Sequence, residues 1–471
     1  MLSGNESEAF PWHLGVFDAH CHPTDTMSSI QSIPNMSARC LTVMGTRSQD
    51  QALVADVADE HGIKSDDWDK WSRKECMVPC FGWHPWFAHQ MYIAGDETQD
   101  QPNENSSDGK ATGVLQGDDK IKHYQNVLQP HREDPVSETE RELFLTLPDP
   151  TSFSDFLLQT RKRLEKYPYA LIGEIGLDRS FRLPFPPDFE DSKNRDDSLT
   201  PGGREGRRLT SFRCDLKHQK AIYKKQLQLA AECKRAVSIH GVQAHGMVYD
   251  ALKELWSGHE KEVISKRELK RRGADHRNAE NEIEKSDADS SPKPYPPRVC
   301  LHSYSGTAAN LNGYFNPAVP VDVFVSFSTA INLGDALEEE TPQSFVEVIK
   351  AVPDHRLLVE SDLHTAGQEM DKRLEDIVRR VCSVKGWGLE DGVRRLGKNW
   401  RRFIFGVVAE GFEFMVFLID DLEQRLKKAE ELIREKLRRW ESAELERWAV
   451  TAALRAQVRE LEARSRFMEL L

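Results

Sequence analysis

Cysteine is scarce in this 471-residue chain: there are eight, and Cys76 and Cys80 form the one close CxxxC spacing, with no second pair to complete a zinc site. A disulfide scaffold is therefore excluded, and the cysteines read as ordinary buried thiols. No GxGxxG or GxxxxGK[ST] stretch follows an early apolar run, which argues against a nucleotide-binding open sheet. Positive charge is in deficit: 64 Lys and Arg stand against 77 Asp and Glu, for a net charge of −13. That excludes a generally basic nucleic-acid coat, but not a local site where a metal supplies the charge. Long apolar runs are also missing. The most apolar stretch, Phe403 to Ile419, is broken by Glu410 and Glu413, so no membrane span is expected. The first fifteen residues lack a charged segment followed by an apolar one, the pattern of a secretory signal. A cytoplasmic or nuclear protein is expected.

What is present is a series of short, apolar, β-branched runs. They fall at Val16–Ala19, Cys40–Met44, Met77–Gly82, Ala170–Glu174, Ala236–His240, Arg298–His302, Val323–Phe327 and Leu357–Asp362. Runs without polar alternation read as parallel strands buried on both faces. Helical patterns separate several of them, at Gln49–His61, Ser154–Lys166, Gln219–Lys234 and Gln343–Ala351. Eight strands alternating with helices predict an α/β fold, a TIM (β/α)8 barrel.

Three polar stretches interrupt the alternation: 89–150, 182–211 and 256–296. They are expected to be solvated, partly disordered loops outside the barrel. The run KRELKRR at 266–272 lies inside the third, and a solvated charge run is favoured there over a nuclear-import patch. With these stretches and the tail set aside, about 270 residues remain in 1–406, close to the usual size of such a barrel. The tail, 407–471, places apolar residues at Met415, Ile419, Leu422, Leu426, Ala429, Ile433, Leu437 and Trp440. That spacing predicts an amphipathic, coiled-coil-like helical extension.

The chemistry lies at the strand ends. His20 and His22 end the first run, Glu174 the fourth, His240 the fifth, His302 the sixth and Asp362 the eighth. Residues i and i+2 of a strand share a face, so His20 and His22 project together and Cys21 points away. In a barrel the C-terminal strand ends converge at the mouth. Four imidazoles and two carboxylates there form a nitrogen and oxygen ligand set for zinc, manganese or magnesium. Six ligands exceed the four of a structural zinc and suit two divalent ions with a bridging carboxylate. Glu174 is the expected bridge. His20, His22 and Asp362 would hold one ion, and His240 and His302 the other. A water on such a pair has a pKa near neutrality and becomes the nucleophile. Asp362 is the candidate acceptor of its proton.

The chain resembles the TatD family of metal-dependent deoxyribonucleases within the amidohydrolase superfamily. The segments that carry the resemblance are FDAHCHPTD (17–25), FGWHPWF (81–87), IGEIGLD (172–178), IHGVQAHG (239–246), LHSYSG (301–306) and LVESD (358–362). The resemblance implies a TIM barrel, the same six ligands and hydrolysis of phosphodiesters, typically DNA. The long insertions look like the fungal branch of the family. Some members of that branch are named as interactors of a tetratricopeptide subunit of the anaphase-promoting complex. A protein partner for the tail or the insertions is thereby implied.

Two positions depart from the family pattern. Val242 stands where an Arg is usual, and His364 where a Pro is usual. An Arg beside the metals would grip a substrate phosphate, so its absence bears on the substrate and not on the metal centre. His245 and His364 are candidate replacements. His84 is a candidate to support the ligands or to contact substrate. Trp83 has two open roles, stacking a base or lining the barrel. Asp18, on the His20 face, is expected to support the ligands from deeper in the barrel. Two further functions remain in view: an amidohydrolase acting on an amide, lactone or phosphotriester, and a scaffold that keeps the barrel for stability. Many relatives bridge their metals with a modified Lys, and Glu174 in that place favours the phosphodiesterase.

Overall fold

The computed structural model describes residues 9–94, 113–130, 136–187, 193, 195–202, 206–263, 293–337 and 339–406, with isolated positions between 434 and 459. The chain divides into two units, Met1–Gly406 and Val407–Leu471. The heptad-like positions of the tail and the KRELKRR run lie outside the described residues.

Eight parallel strands form one sheet in sequence order: β1 Phe17–Cys21, β2 Cys40–Met44, β3 Met77–Phe81, β4 Leu171–Asp178, β5 Val237–Val242, β6 Arg298–Leu301, β7 Asp322–Phe327 and β8 Leu357–Val359. These are the eight runs read from the sequence. None of the described residues of the three insertions adds a strand to this sheet. The seam between β8 and β1 is closed just beyond the strand ends. Asp362 N–H donates to the His20 carbonyl at 3.0 Å, and His22 N–H donates to the Leu363 carbonyl at 2.8 Å. The result is a nearly closed (β/α)8 barrel.

The strand residues sort by period two into two apolar clusters. Leu41, Val43, Met77, Val237, Ile239, Val299, Leu301 and Val323 pack with the surrounding helices. The alternate set, Cys40, Met44, Val78, Cys80, Ala236, Cys300, Phe324 and Leu358, packs with Trp400 and Phe403 of helix Leu389–Phe405. Each large apolar side chain buried this fully contributes about 1.5–3 kcal/mol. Along the second set the chemistry changes toward the C-terminal ends. Ala236 is followed on its face by Ser238 and His240, Cys300 by His302, and Leu358 by Glu360 and Asp362. The same period that builds the core therefore delivers the polar groups to one mouth.

Two irregularities aim the remaining groups. The ladder slips between Asp18 and Cys21 in β1 and between Ile172 and Ile175 in β4. A bulge re-aims side chains locally, and these two flank His20 and Glu174. Gly176 lets β4 approach β5, since a Cβ there would lie 2.0 Å from the His240 carbonyl oxygen.

The insertions correct one expectation. Within 89–150, helices Gly117–Val127 and Glu138–Thr146 replace the predicted loop. Ile121, Tyr124, Val127, Leu128, Phe144 and Leu147 form a small apolar cluster with Leu183 and Phe212. The apolar positions at helical spacing were masked by the Asp, Lys and Gln between them. Ser137 caps the second helix by accepting from Glu140 N–H, the S-x-x-E signature of a helix start. Residues 200 and 201 of the second insertion are likewise not free in solvent: Thr200 N–H donates to the Asp25 carbonyl at 2.7 Å, and Arg47 Nε–H donates to the Pro201 carbonyl at 3.2 Å.

Candidate metal centre

The six side chains singled out by position converge at one mouth of the barrel. His20 Nε2 lies 3.1 Å from His22 Nε2, and the His20 ring stacks on His302 with centroids 3.8 Å apart. Glu174 stands in the middle. Its Oε1 is 2.7 Å from His302 Nε2 and 2.8 Å from His240 Nδ1. Its Oε2 is 3.5 Å from His20 Nε2 and 3.4 Å from His22 Nε2. Asp362 Oδ1 is 3.3 Å from His22 Nε2 and 3.7 Å from His20 Nε2. Four overlapping donor groups result: His20, His22 and Asp362; His20, Glu174 and His302; His84, Glu174 and His240; and His302, Glu360 and Asp362. Within each group the ligand atoms lie within 4.8 Å of one another. These buried clusters are consistent with a binuclear metal site.

The electrostatics fit cations. Burial lowers His20, and the neighbouring His302 lowers it further. Burial also opposes the charged form of His22, yet the Asp362 and Glu174 carboxylates raise it to about 9. His302 and His240 are raised against burial by Glu174 together with Glu360 and Asp178 respectively. Glu174 and Asp362 are held well below the usual carboxylate range by the crowd of imidazoles, despite burial. The carboxylates thus draw protons onto the rings in places where cations would otherwise sit.

Two of the inward-facing rings are held from behind through the other nitrogen, and the third has a carboxylate behind it. His20 Nδ1 is 2.8 Å from Ser238 Oγ, and His240 Nε2 is 3.1 Å from Asp178 Oδ2. His302 Nδ1 is 3.4 Å from Glu360 Oε1, outside hydrogen-bond geometry. Such outer partners orient metal-binding imidazoles. Glu360 is itself fixed by Ser303 N–H and by the Ser303 and Ser326 hydroxyls. Sequence reasoning missed Ser238, Asp178 and Glu360. The signal was there: Ser238 and Glu360 precede His240 and Asp362 by two residues, and Asp178 follows Glu174 by four, all on shared strand faces.

The supporting residues separate into distinct roles. His84 is buried, with Nε2 3.1 Å from Glu174 Oε1. Its Nδ1 accepts the Trp86 backbone N–H at 3.1 Å, and burial lowers its pKa to about 4. A neutral ring accepting through Nδ1 carries its hydrogen on Nε2. His84 is thus set up as a hydrogen-bond donor to Glu174. Asp18 is buried, which pushes its pKa up to about 7. It accepts the backbone N–H groups of His20 and Ser361 and the Ser361 hydroxyl, so it fixes the backbone of the site and does not touch the rings. Trp83 is 2% exposed, donates its indole N–H to the Phe87 carbonyl and packs edge-on against Phe156.

The polar side chains near the mouth are unevenly available. His364 is exposed, with its ring 5.3 Å from that of His22 and Nδ1 2.7 Å from Asp25 Oδ2. His245 is half-buried, 3.4 Å from Ser305 Oγ. Arg47 is 4% exposed and committed to Asp25 and Asp50, each at 2.9 Å. Val242 ends β5 without a charge.

A parallel barrel that gathers a buried imidazole and carboxylate cluster at its mouth is a barrel fold with a candidate metal site. The TatD-related DNase family model matches residues 17–405, and the chain belongs to that family. It is 34% identical over 389 residues to the Cut9-interacting protein scn1 of Schizosaccharomyces pombe, covering 83% of this chain and 98% of that one. It is 25% identical over 350 residues to an uncharacterized deoxyribonuclease of Saccharomyces cerevisiae, covering 73% and 82%. A TatD homologue from Escherichia coli K12 superposes with a TM-score of 0.41 at 14% identity, covering 83% of this chain and 98% of that one. Among the described residues, no helix is long and apolar enough to cross a membrane.

Proposed function

We propose that the protein is a divalent-metal-dependent phosphodiester hydrolase, a TatD-type deoxyribonuclease. The observation that carries this reading is the position of Glu174, whose two oxygens face different imidazole pairs. Two divalent ions bound there would supply an activated water and neutralise charge on the phosphoryl oxygens. His20, His22 and Asp362 would hold one, His240 and His302 the other, with Glu174 shared. Asp362, with Oδ1 3.3 Å from His22 Nε2, accepts the proton of the attacking water. His84 donates to Glu174 and keeps it aimed. Ser238 and Asp178 hold the rings of His20 and His240 so that their facing nitrogens stay on the cluster, and Glu360 places a negative charge behind His302. His364 offers a donor to a substrate phosphate in place of the missing Arg. Chelation followed by add-back of Zn²⁺, Mn²⁺ or Mg²⁺, with cleavage of single-stranded and duplex DNA as the readout, tests the reading. Cleavage should disappear and return with the ions.

A second reading has its own support. The 34% identical relative is named as an interactor of Cut9. In that reading this chain is a scaffold that binds a tetratricopeptide protein through 407–471 or an insertion. Pull-down of such a partner by the full chain and by 1–406, beside the nuclease assay, separates the two.

A further inference from the structure

Trp86 and Phe181 lie face to face beside the cluster. Their ring centroids are 4.6 Å apart and their planes differ by 11°. Both are half-buried, unlike the sealed Trp83. Both are tied to one carboxylate. The Trp86 indole N–H donates to Asp178 Oδ2 at 2.6 Å, and the Phe181 backbone N–H donates to Asp178 Oδ1 at 2.9 Å. Asp178 also holds His240, and the Trp86 and His240 centroids are 6.1 Å apart. Between Asp178 and Phe181 in the chain stands Arg179, exposed and without an ion-pair partner among the described residues.

We propose that the Trp86–Phe181 pair is a stacking subsite for a nucleobase flanking the scissile phosphate, with Arg179 as counter-charge for a neighbouring phosphate. This rests on the phosphodiesterase reading and deepens it by naming the side chains that hold a base and a phosphate beside the cluster. A flat aromatic face next to a phosphate-handling cluster meets what is covalently attached to the phosphate. The Trp86 ring and the Phe181 backbone are already fixed through Asp178, and the two rings stack on each other, so a stacked base pays little for ordering them. Every base has a π-face, so such a subsite is tolerant of sequence. With a net charge of −13, attraction for a polyanion has to be local, and Arg179 supplies it.

The test is binding of full-length protein, in EDTA so that no strand is cut, to oligothymidylate and to an abasic strand of equal length and charge. Wild type should bind the base-bearing strand about tenfold or more tightly than the abasic one. Phe181→Leu keeps an apolar side chain but removes the ring, and should collapse that ratio toward one. Phe181→Tyr should restore it. Arg179→Gln should weaken both strands alike and reduce the salt slope by about one. Equal binding of the two strands by wild type, or an unchanged ratio in Phe181→Leu, overturns the subsite. A nuclease assay with added ions runs in parallel. Base-selective binding without cleavage upholds the subsite while the hydrolase reading fails; cleavage without base selectivity does the reverse.

Discussion

Asp362 donates its backbone N–H to the carbonyl of His20 at 3.0 Å, so the bond that closes the barrel joins two members of the candidate metal cluster. The first and last strands therefore bring their ligands together by the same contact that completes the fold. This bond uses main-chain atoms, and side chains at either position can be changed while the closure persists.

Asp362→Asn follows directly from that separation. The variant keeps the shape and one ligating oxygen but loses charge and basicity. Loss of general-base help is typically about 10²–10⁴-fold in rate. Metal-dependent phosphodiester cleavage is expected to drop by at least about 10²-fold, with metal content reduced less than in the next variant. Rates equal to wild type would remove Asp362 from the proton-acceptor role.

His20→Ala with His22→Ala removes two ring nitrogens that face each other at 3.1 Å. Metal content by elemental analysis should fall, while circular dichroism should show a folded barrel, because the core clusters are apolar and built from other residues. Full metal retention would mean that the ions sit elsewhere.

Ser238→Ala deletes the one hydroxyl behind His20 Nδ1. Outer partners of this kind are worth about 10–100-fold in metal affinity. A competition titration with a chromogenic chelator should show weakening of about tenfold. An unchanged affinity would show that packing alone orients His20.

The pH dependence has a definite sign. His22 keeps its proton up to about 9 in the ion-free fold, above the 6.5 of an ordinary imidazole. Its contribution to ion-free stability is fully present below 6.5 and is lost as pH rises to about 9. Ions compete with that proton, so their binding strengthens over the same window. The rise in Tm on adding Zn²⁺ or Mn²⁺ should grow from pH 6.5 to 9, read by thermal unfolding with and without EDTA. A flat difference would contradict the coupling.

Much of this was legible in the sequence. The eight strands were found because parallel barrel strands are buried on both faces and read as unbroken apolar runs. His20, His22, Glu174, His240, His302 and Asp362 were found because they end those runs. The helices at Gly117–Val127 and Glu138–Thr146 were not found, since their apolar positions are diluted by charge and their cluster draws on the distant Leu183 and Phe212. Trp83 and Trp86 could not be told apart by spacing alone. Trp83 precedes the 3₁₀ turn Pro85–Gln90 and is buried, whereas Trp86 lies within that turn, half-exposed beside His240. Outer partners such as Ser238 and Asp178 share a strand face with the ligands they support, but that spacing alone does not say which same-face residue reaches which ring.

The most direct measurement is elemental analysis of purified protein joined to a nuclease assay before chelation, after chelation and after add-back. About two divalent ions per chain, with DNA cleavage lost and recovered alongside them, is the expected result. Protein that holds its ions yet cleaves neither nucleic acid nor a model phosphodiester would contradict the hydrolase and leave the scaffold in its place.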